Sequence, residues 1–353
     1  MNVALLGIKG EFDRTQSSGI RRYMCELYDN LAKIRGLKIT KKELEPPKTN
    51  SFTLINMYFV QKNMFSSFGS YDIIHHVDNK PIIPLNKGRA TFLTTIYELY
   101  ELMHYRDLDS IILNTRNKKI VNAMCGMFYK TILHASDYLI AISEQTKEEA
   151  VSAGYPKEKI FVVPLGVDKR FFKTPITKRK SKQFTVGYLG GLGRRKNVNF
   201  AINAFKQTSN PKMRFLVYGN RAGEYENLVR LAGKDRRIRF MGFAPEDRIV
   251  DIYDSFDVAV HTTLYAGFEL EIIEEQARGL PVIIPKTSMI PKEVKKYCIE
   301  AEDESHMAQI INNIKENGYN IKIKNRAIRY ARTFTWKRNA EETFKVYMKI
   351  LGI

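Results

Sequence analysis

Cysteine is scarce in this sequence: Cys25, Cys125 and Cys298 stand far apart among 353 residues, and none forms a Cys-x-x-Cys pair. That argues against a disulfide framework and against a thiolate zinc site, and it fits a reducing compartment. Long hydrophobic runs are missing too; none approaches the roughly 18 apolar residues of a membrane span. The first residues, Met1 to Ile8, have no basic segment before their apolar run, so they read as a buried strand and not as a secretory leader. A soluble, cytoplasmic protein is expected. No Gly-x-Ser-x-Gly, no P-loop and no metal-ligand spacing of His, Cys and carboxylates occurs. Asp107-Leu108-Asp109 is a DxD, but no apolar strand leads into it, so it reads as a helix start. Neither a metal nor a cofactor is expected.

What is present is positive charge. The formal net charge is +19, and both halves of the chain carry part of it. Nucleic acid, an anionic membrane and a phosphorylated substrate all stay open on charge alone, beside a basic composition with no special partner. Aromatics interleaved on a basic face are lacking, so nucleic acid is not expected. Residues 111–133 mix apolar side chains with Arg116, Lys118, Lys119 and Lys130. Such a segment suits peripheral contact with the anionic inner face of a membrane; a core-packing helix with a basic outer face is the plainer reading.

The length favours two domains. Short β-rich runs at 3–6, 73–75, 91–95, 137–141 and 160–163 alternate with helical patterns at 22–34 and 143–153, where Ser143 is placed to cap. A polar, basic, nonperiodic stretch at 173–183 reads as a linker. A second series follows, with strands at 185–189, 214–218, 238–241, 258–261 and 281–284 and helices at 198–205, 224–232 and 246–255. Strand–helix alternation of this kind predicts parallel sheets with ligands beyond the strand C-termini. The expected fold is α/β with two doubly wound, Rossmann-like domains, 1–173 and 174–336, and a long amphipathic helix at about 337–353.

Two stretches carry chemistry. Gly190-Gly191-Leu192-Gly193-Arg194-Arg195-Lys196 lies between a strand and a helix. Glycines let the backbone approach a ligand, and three cations at a helix start oppose its dipole unless an anion binds there. A solvated basic loop is the plain alternative. Between Tyr265 and Val282 the pattern is loop, helix, strand, with Leu270, Ile273 and Ala277 as a core stripe and Glu271, Glu274, Glu275 and Arg278 on the remaining positions. Glu271 and Glu275 repel at i,i+4 while Glu274 and Arg278 attract. A carboxylate near the start of this helix can accept two hydrogen bonds from a ribose diol; alone, this helix reads more readily as a solvated acidic face.

Together with the segment from Ala141 through Asp168, with Phe240-Met241-Gly242-Phe243 and with Phe334-Thr335-Trp336, these stretches resemble family 4 of the retaining glycosyltransferases. That resemblance implies the GT-B fold, two domains facing across a cleft with the last helix packed on the first. It implies metal-independent transfer of a sugar from a nucleoside-diphosphate-sugar, UDP or GDP type, to a glycan, lipid-linked or protein-linked acceptor. Carried over by position, Lys196, with Arg194 or Arg195, would hold the diphosphate, and Gly190 and Gly191 belong to the same loop. Gly267 and Phe268, continuing into Glu269 and Leu270, would line the phosphates. Glu274 would bind the ribose, and Gly242 and Phe243 the base. Gly19 matches the glycine loop that faces donor and acceptor, and His76 ends a strand pointing to the same cleft. Departures concern the sugar side. Ala266 stands where the family has its first glutamate, Glu269 where it has a second loop glycine, Gly191 where it has a phosphate arginine, and Tyr97-Glu98 where it has a histidine followed by aspartate. A nucleotide-sugar-binding protein with degenerate catalysis is therefore the alternative, ahead of a basic nucleic-acid-binding protein.

Overall fold

β1 (Asn2–Ile8) is apolar on both faces, and Val3, Ala4, Leu5 and Leu6 are all fully buried, as a central strand of a parallel sheet requires. The computed structural model describes residues 1–8, 12, 19–44, 70–77, 87–99, 130, 133–173, 183–208 and 210–353. The DxD at 107–109, nearly all of 111–133, and 174–182 of the expected linker lie outside the described residues. The chain divides into two compact units, Met1–Gly166 with Thr335–Ile353, and Val167–Phe334.

In the first unit, β1 is followed by α1 (Gly19–Leu31), β2 (Lys38–Leu44), β3 (Ile73–His76), β4 (Thr91–Ile96), β5 (Tyr138–Ala141), α2 (Glu144–Ser152) and β6 (Ile160–Val162). The six strands are parallel, in the order β2-β1-β3-β4-β5-β6. α1 begins and ends three residues before the predicted helix, so Gly19 is its first residue. Ser143 caps α2 as expected, its hydroxyl accepting from the Thr146 N–H at 3.1 Å. β2 was not foreseen: Lys38-Ile-Thr-Lys-Lys-Glu-Leu is an edge strand with largely exposed side chains, so it lacks apolar alternation, and its lysines guard the edge.

The second unit opens with a short turn of helix, α3 (Arg170–Lys173), then β7 (Phe184–Leu189), α4 (Val198–Lys206), β8 (Met213–Tyr218), α5 (Tyr225–Ala232), β9 (Ile238–Gly242), α6 (Ile249–Asp254), β10 (Val258–Val260), α7 (Leu270–Ala277), β11 (Val282–Pro285), α8 (Lys292–Lys295), β12 (Ile299–Ala301), α9 (Glu304–Asn317) and α10 (Ile321–Ala331). Its sheet is parallel with the order β12-β11-β10-β7-β8-β9. Counted within the unit, that is strand order 3-2-1-4-5-6, with the reversal between β7 and β10. Val186, Phe205, Phe215, Val217, Val260, Ile283 and Ile311 form its core.

The final helix, α11 (Trp336–Leu351), belongs to the first unit, capped by Thr335 and packed on α1. Its start crosses Gly166 so closely that an added Cβ would lie 2.3 Å from the Trp336 nitrogen. A glycine is required there by contact, not by backbone angle. Among the described residues no helix is long and apolar enough to cross a membrane.

Candidate functional site

The loops beyond β7, β8 and β10 meet at the reversal of the second sheet. Leu189 ends β7, and the Gly190 N–H donates to the Tyr218 carbonyl at 3.1 Å. Tyr188 donates its hydroxyl to the Gly191 carbonyl at 2.5 Å. Leu192 is buried, and its carbonyl accepts from the Glu224 N–H at 2.9 Å. A Cβ on Gly219 would stand 2.6 Å from the Gly190 carbonyl oxygen, so the loops after β7 and β8 touch backbone to backbone. The glycine loop is thereby fixed by its neighbours.

Arg194–Lys196 form a single 3₁₀ turn, and α4 begins only at Val198, after Asn197 in the left-handed region at φ 48°. The three cations therefore precede the helix and are not its first turn. Each has a protein partner. Arg194 Nε donates to Glu224 Oε1 at 3.0 Å, while Asn227 and Arg194 together hold the Glu224 carboxyl below its ordinary value. Arg195 donates to the Tyr265 carbonyl at 3.2 Å. Lys196 Nζ donates to both oxygens of Glu269, at 2.6 and 2.9 Å. The backbone is tied as well: the Arg195 carbonyl accepts from the Leu264 N–H and the Lys196 carbonyl from the Thr262 hydroxyl, each at 2.9 Å.

α7 is not a solvated acidic face. Glu269 just before it, and Leu270, Ile272, Ile273, Glu274, Glu275, Gln276 and Ala277 along it, are all buried. The helix carries carboxylates because the fold gives them partners. Burial works against the Glu269 charge, but Lys196, His261 and Arg195 outweigh it and hold the carboxyl down at about 2. His261, directly after β10, lies 2.9 Å from Glu275, and both are buried. The two make a close, buried ion-pair contact. Burial pulls His261 down, yet Glu275, Glu269 and Glu271 more than offset it and raise the imidazole above its usual value. Burial raises Glu275 in turn. Tyr253 of α6 donates its hydroxyl to Glu274 at 2.9 Å. Arg278 turns its guanidinium to Asp254 at 2.7 and 2.8 Å and to the Phe171 carbonyl at 3.2 Å.

Of the donor-side residues expected from sequence, the structure gathers Lys196, Arg195, Glu269 and the 265–269 loop into one cluster. Gly190, Gly191 and Arg194 lie on its braced loop, and Gly267, Phe268 and Leu270 are buried beside it. Gly242 closes β9 with a positive φ of 77°, and its carbonyl accepts from the Gly219 N–H. Phe243 after it is about half exposed, 54%. Sequence reasoning gave His261 no role and read Glu275 only as one half of a repelling pair with Glu271. Apolar patterning cannot find them, because a buried charged pair breaks the pattern; only the strand order shows that His261 follows the strand next to β7.

In the first unit, Gly19 opens α1 with nothing within 4 Å of an added Cβ. His75 and His76 both lie at the end of β3, as expected, and both are fully buried. Burial pushes each imidazole down to about 3. His75 bridges the Thr95 hydroxyl at 2.8 Å and the Tyr347 hydroxyl at 2.6 Å. His76 stacks on Phe92, and neither of its ring nitrogens has a hydrogen-bond partner among the described residues. Tyr97, at the family's histidine position, donates to the Val77 carbonyl at 2.6 Å and packs edge-on against Tyr23.

Comparison with known proteins bears on this arrangement. Residues 18–171 match the family model described as Glycosyltransferase Family 4, and residues 183–317 match Glycosyl transferases group 1. O-antigen chain mannosyltransferase B of Escherichia coli is 21% identical over 233 residues, which is 61% of this chain and 61% of the relative. The match thus spans less than two thirds of that relative's length. Sucrose-phosphate synthase from Thermosynechococcus elongatus superposes with a TM-score of 0.75 at 17% identity, covering 99% of both chains. The Anabaena protein HepE in complex with UDP-glucose gives 0.69 at 17%, covering 99% of this chain and 100% of that one. The fold is that of the GT-B glycosyltransferases.

Proposed function

The chain belongs to the glycosyltransferases of family 4 and group 1, and from that membership we propose that it transfers a sugar from a nucleoside-diphosphate-sugar with retention and without a metal. One observation carries the reading: three cations on a braced glycine loop stand at the strand-order reversal of the second sheet, where ligands bind in such folds. Lys196, Arg194 and Arg195 hold the diphosphate and stabilise the charge that grows on it as it leaves. Tyr253 fixes the carboxylate of Glu274, which takes the ribose diol, and Gly242 and Phe243 lie at the base. Gly267 and Phe268 line the phosphates. The bond from the sugar's anomeric carbon to the phosphate oxygen breaks with its electron pair going to the phosphate. The acceptor hydroxyl bonds to that carbon from the same face, and its proton passes to the departing phosphate oxygen. No protein base is needed. Glycan and lipid-linked acceptors are the classes we favour.

The test is thermal unfolding of pure protein with UDP-, GDP- and ADP-sugars, since a ligand at 100 times its Kd adds about 2.7 kcal/mol. One donor should stabilise the protein, and Lys196→Ala should abolish that shift with the fold intact. An unchanged shift in the variant sinks the assignment.

A second reading, binding with degenerate catalysis, is favoured by Ala266 and by the Tyr97 hydroxyl, which is spent on the Val77 carbonyl. Sugar transfer or donor hydrolysis by pure protein excludes it.

A further inference from the structure

Lys196 is already occupied. Both oxygens of Glu269 sit on its ammonium at 2.6 and 2.9 Å, and the carboxylate is 2% exposed while the lysine side chain is 18% exposed. Two oxygens on one cation in a nearly closed site is the arrangement a phosphate would make with the same group. Glu269 also stands at the N-cap position of α7 without accepting any hydrogen bond from the helix N–H groups. Its side chain is turned from the local backbone, where a residue in that position ordinarily serves, to the distant lysine, 73 residues earlier. The other cations of the loop are held differently: Arg194 pairs with a partly exposed Glu224, and Arg195 donates to the Tyr265 carbonyl and adds its charge to the hold on Glu269.

We infer that Glu269 is a resident anion that occupies the diphosphate position on Lys196, so that a nucleotide binds by exchanging with it. The inference rests on the reading of Lys196 as the diphosphate lysine. Donor affinity is then set by a competition inside the chain, and the protein binds nucleotide more weakly than its cations alone dictate. The groups around Glu269 are Lys196 and Arg195 from the loop, Tyr188 from β7, His261 after β10, and Glu271 and Glu275 on its own helix. Of these, only the loop cations and His261 can balance a carboxylate. When phosphate takes Lys196, Arg195 and the His261 imidazole remain beside the displaced glutamate. This places the control of affinity on a side chain that touches the nucleotide site only while the site is empty.

The test measures UDP and GDP binding by calorimetry to full-length wild type, Glu269→Gln and Glu269→Gly. Gln keeps the shape and removes the charge; Gly removes the side chain. Far-UV circular dichroism and Tm confirm that each variant is folded, and the two substitutions guard each other should one fail. Both should bind the preferred nucleotide at least about tenfold more tightly, because a site that is mostly self-occupied loses affinity in proportion to its free fraction. Equal or weaker binding by the folded variants overturns the inference and leaves the proposed function standing. If neither wild type nor either variant binds UDP or GDP, the reading of the site itself fails, and the inference with it.

Discussion

Each sheet places a buried histidine at or directly after the end of the strand that flanks its first strand. In the first unit this is His76, at the end of β3 beside β1; in the second it is His261, after β10 beside β7. Their chemistry diverges. His76 lies against Phe92 with no polar partner, so burial alone sets its state and the ring is neutral down to about pH 3. His261 has the carboxylate of Glu275 at 2.9 Å and two further glutamates near, and they raise it. The same topological position thus hosts an imidazole held low by burial in one unit and one raised by neighbouring carboxylates in the other. What differs is the element covering the strand end: α7 brings carboxylates, and they in turn answer Lys196. The second unit is built to manage anionic charge. The described part of the first is not.

The largest test of that contrast is acid. His75 and His76 have folded values near 3, below the ordinary 6.5, so the unfolded chain binds protons that the native first unit refuses. Their contribution is fully present above pH 6.5 and is lost as pH falls toward 3, on the order of 4 kcal/mol per histidine by pH 3.5. His261 has the opposite sign. Its folded value is raised, so its contribution is present below 6.5 and lost as pH rises through the folded value. Glu269, held near 2, adds an acid loss only below about 4.5. Hydrogen exchange across pH 7.5 to 4 should therefore show β3 and β4 losing protection before α7. Simultaneous loss in both units, or α7 opening first, breaks the comparison.

Lys196→Ala comes next. If the second unit's charge serves a leaving diphosphate, turnover should fall by about 10² to 10³, the scale for one preorganised charge donor. The variant also strands a buried carboxylate, so the Lys196→Ala/Glu269→Gln pair should recover stability without recovering turnover. Recovered turnover would mean that the lysine only neutralises Glu269.

A smaller effect belongs to the first unit's hydroxyl chain. Tyr23 and His75 both reach the Thr95 hydroxyl, and His75 continues to Tyr347 on α11, so four elements share one buried network. Tyr347→Phe should destabilise by about 1–3 kcal/mol, the scale of leaving a buried polar group unsatisfied. Combining it with His75→Phe should cost clearly less than the sum, since each change removes the other's orphaned partner. Strict additivity in urea unfolding would show that the network is not shared.

How much of this was legible in the sequence follows from what each residue type signals. The apolar runs of β1 and β7, the Ser143 cap and the glycine–cation loop all announce themselves locally. So does the order of the second series, from which the position of residues 190–196 follows. β2 did not, because an edge strand facing solvent has no apolar alternation to show. α7 misled in the other direction: four carboxylates between residues 269 and 275 look like a wet face until the partners Lys196, His261 and Tyr253 are in place. Those partners are 14 to 73 residues away or across a strand reversal, beyond any periodic window. The pairing of Lys196 with Glu269 was equally invisible, although both residues had been singled out for separate reasons.

His76 offers the smallest effect and the finest cut between the units. Its ring nitrogens make no hydrogen bonds to the described residues and it stacks at 14° on Phe92, so it behaves in the fold as a flat apolar group. His76→Phe should therefore change stability at pH 7.5 by less than about 1 kcal/mol, because replacing an unsatisfied polar group by an apolar one of similar shape is near neutral or stabilising. At pH 4 the variant should be more stable than wild type, as one refused proton has been removed. The matching change at His261 should destabilise at pH 4 by leaving Glu275 buried without its protonated partner 2.9 Å away. Turnover adds the functional half of the comparison: a drop in His76→Phe at unchanged stability would restore to this ring the role its strand-end position suggested. Unchanged turnover would leave chemistry to the charged unit alone.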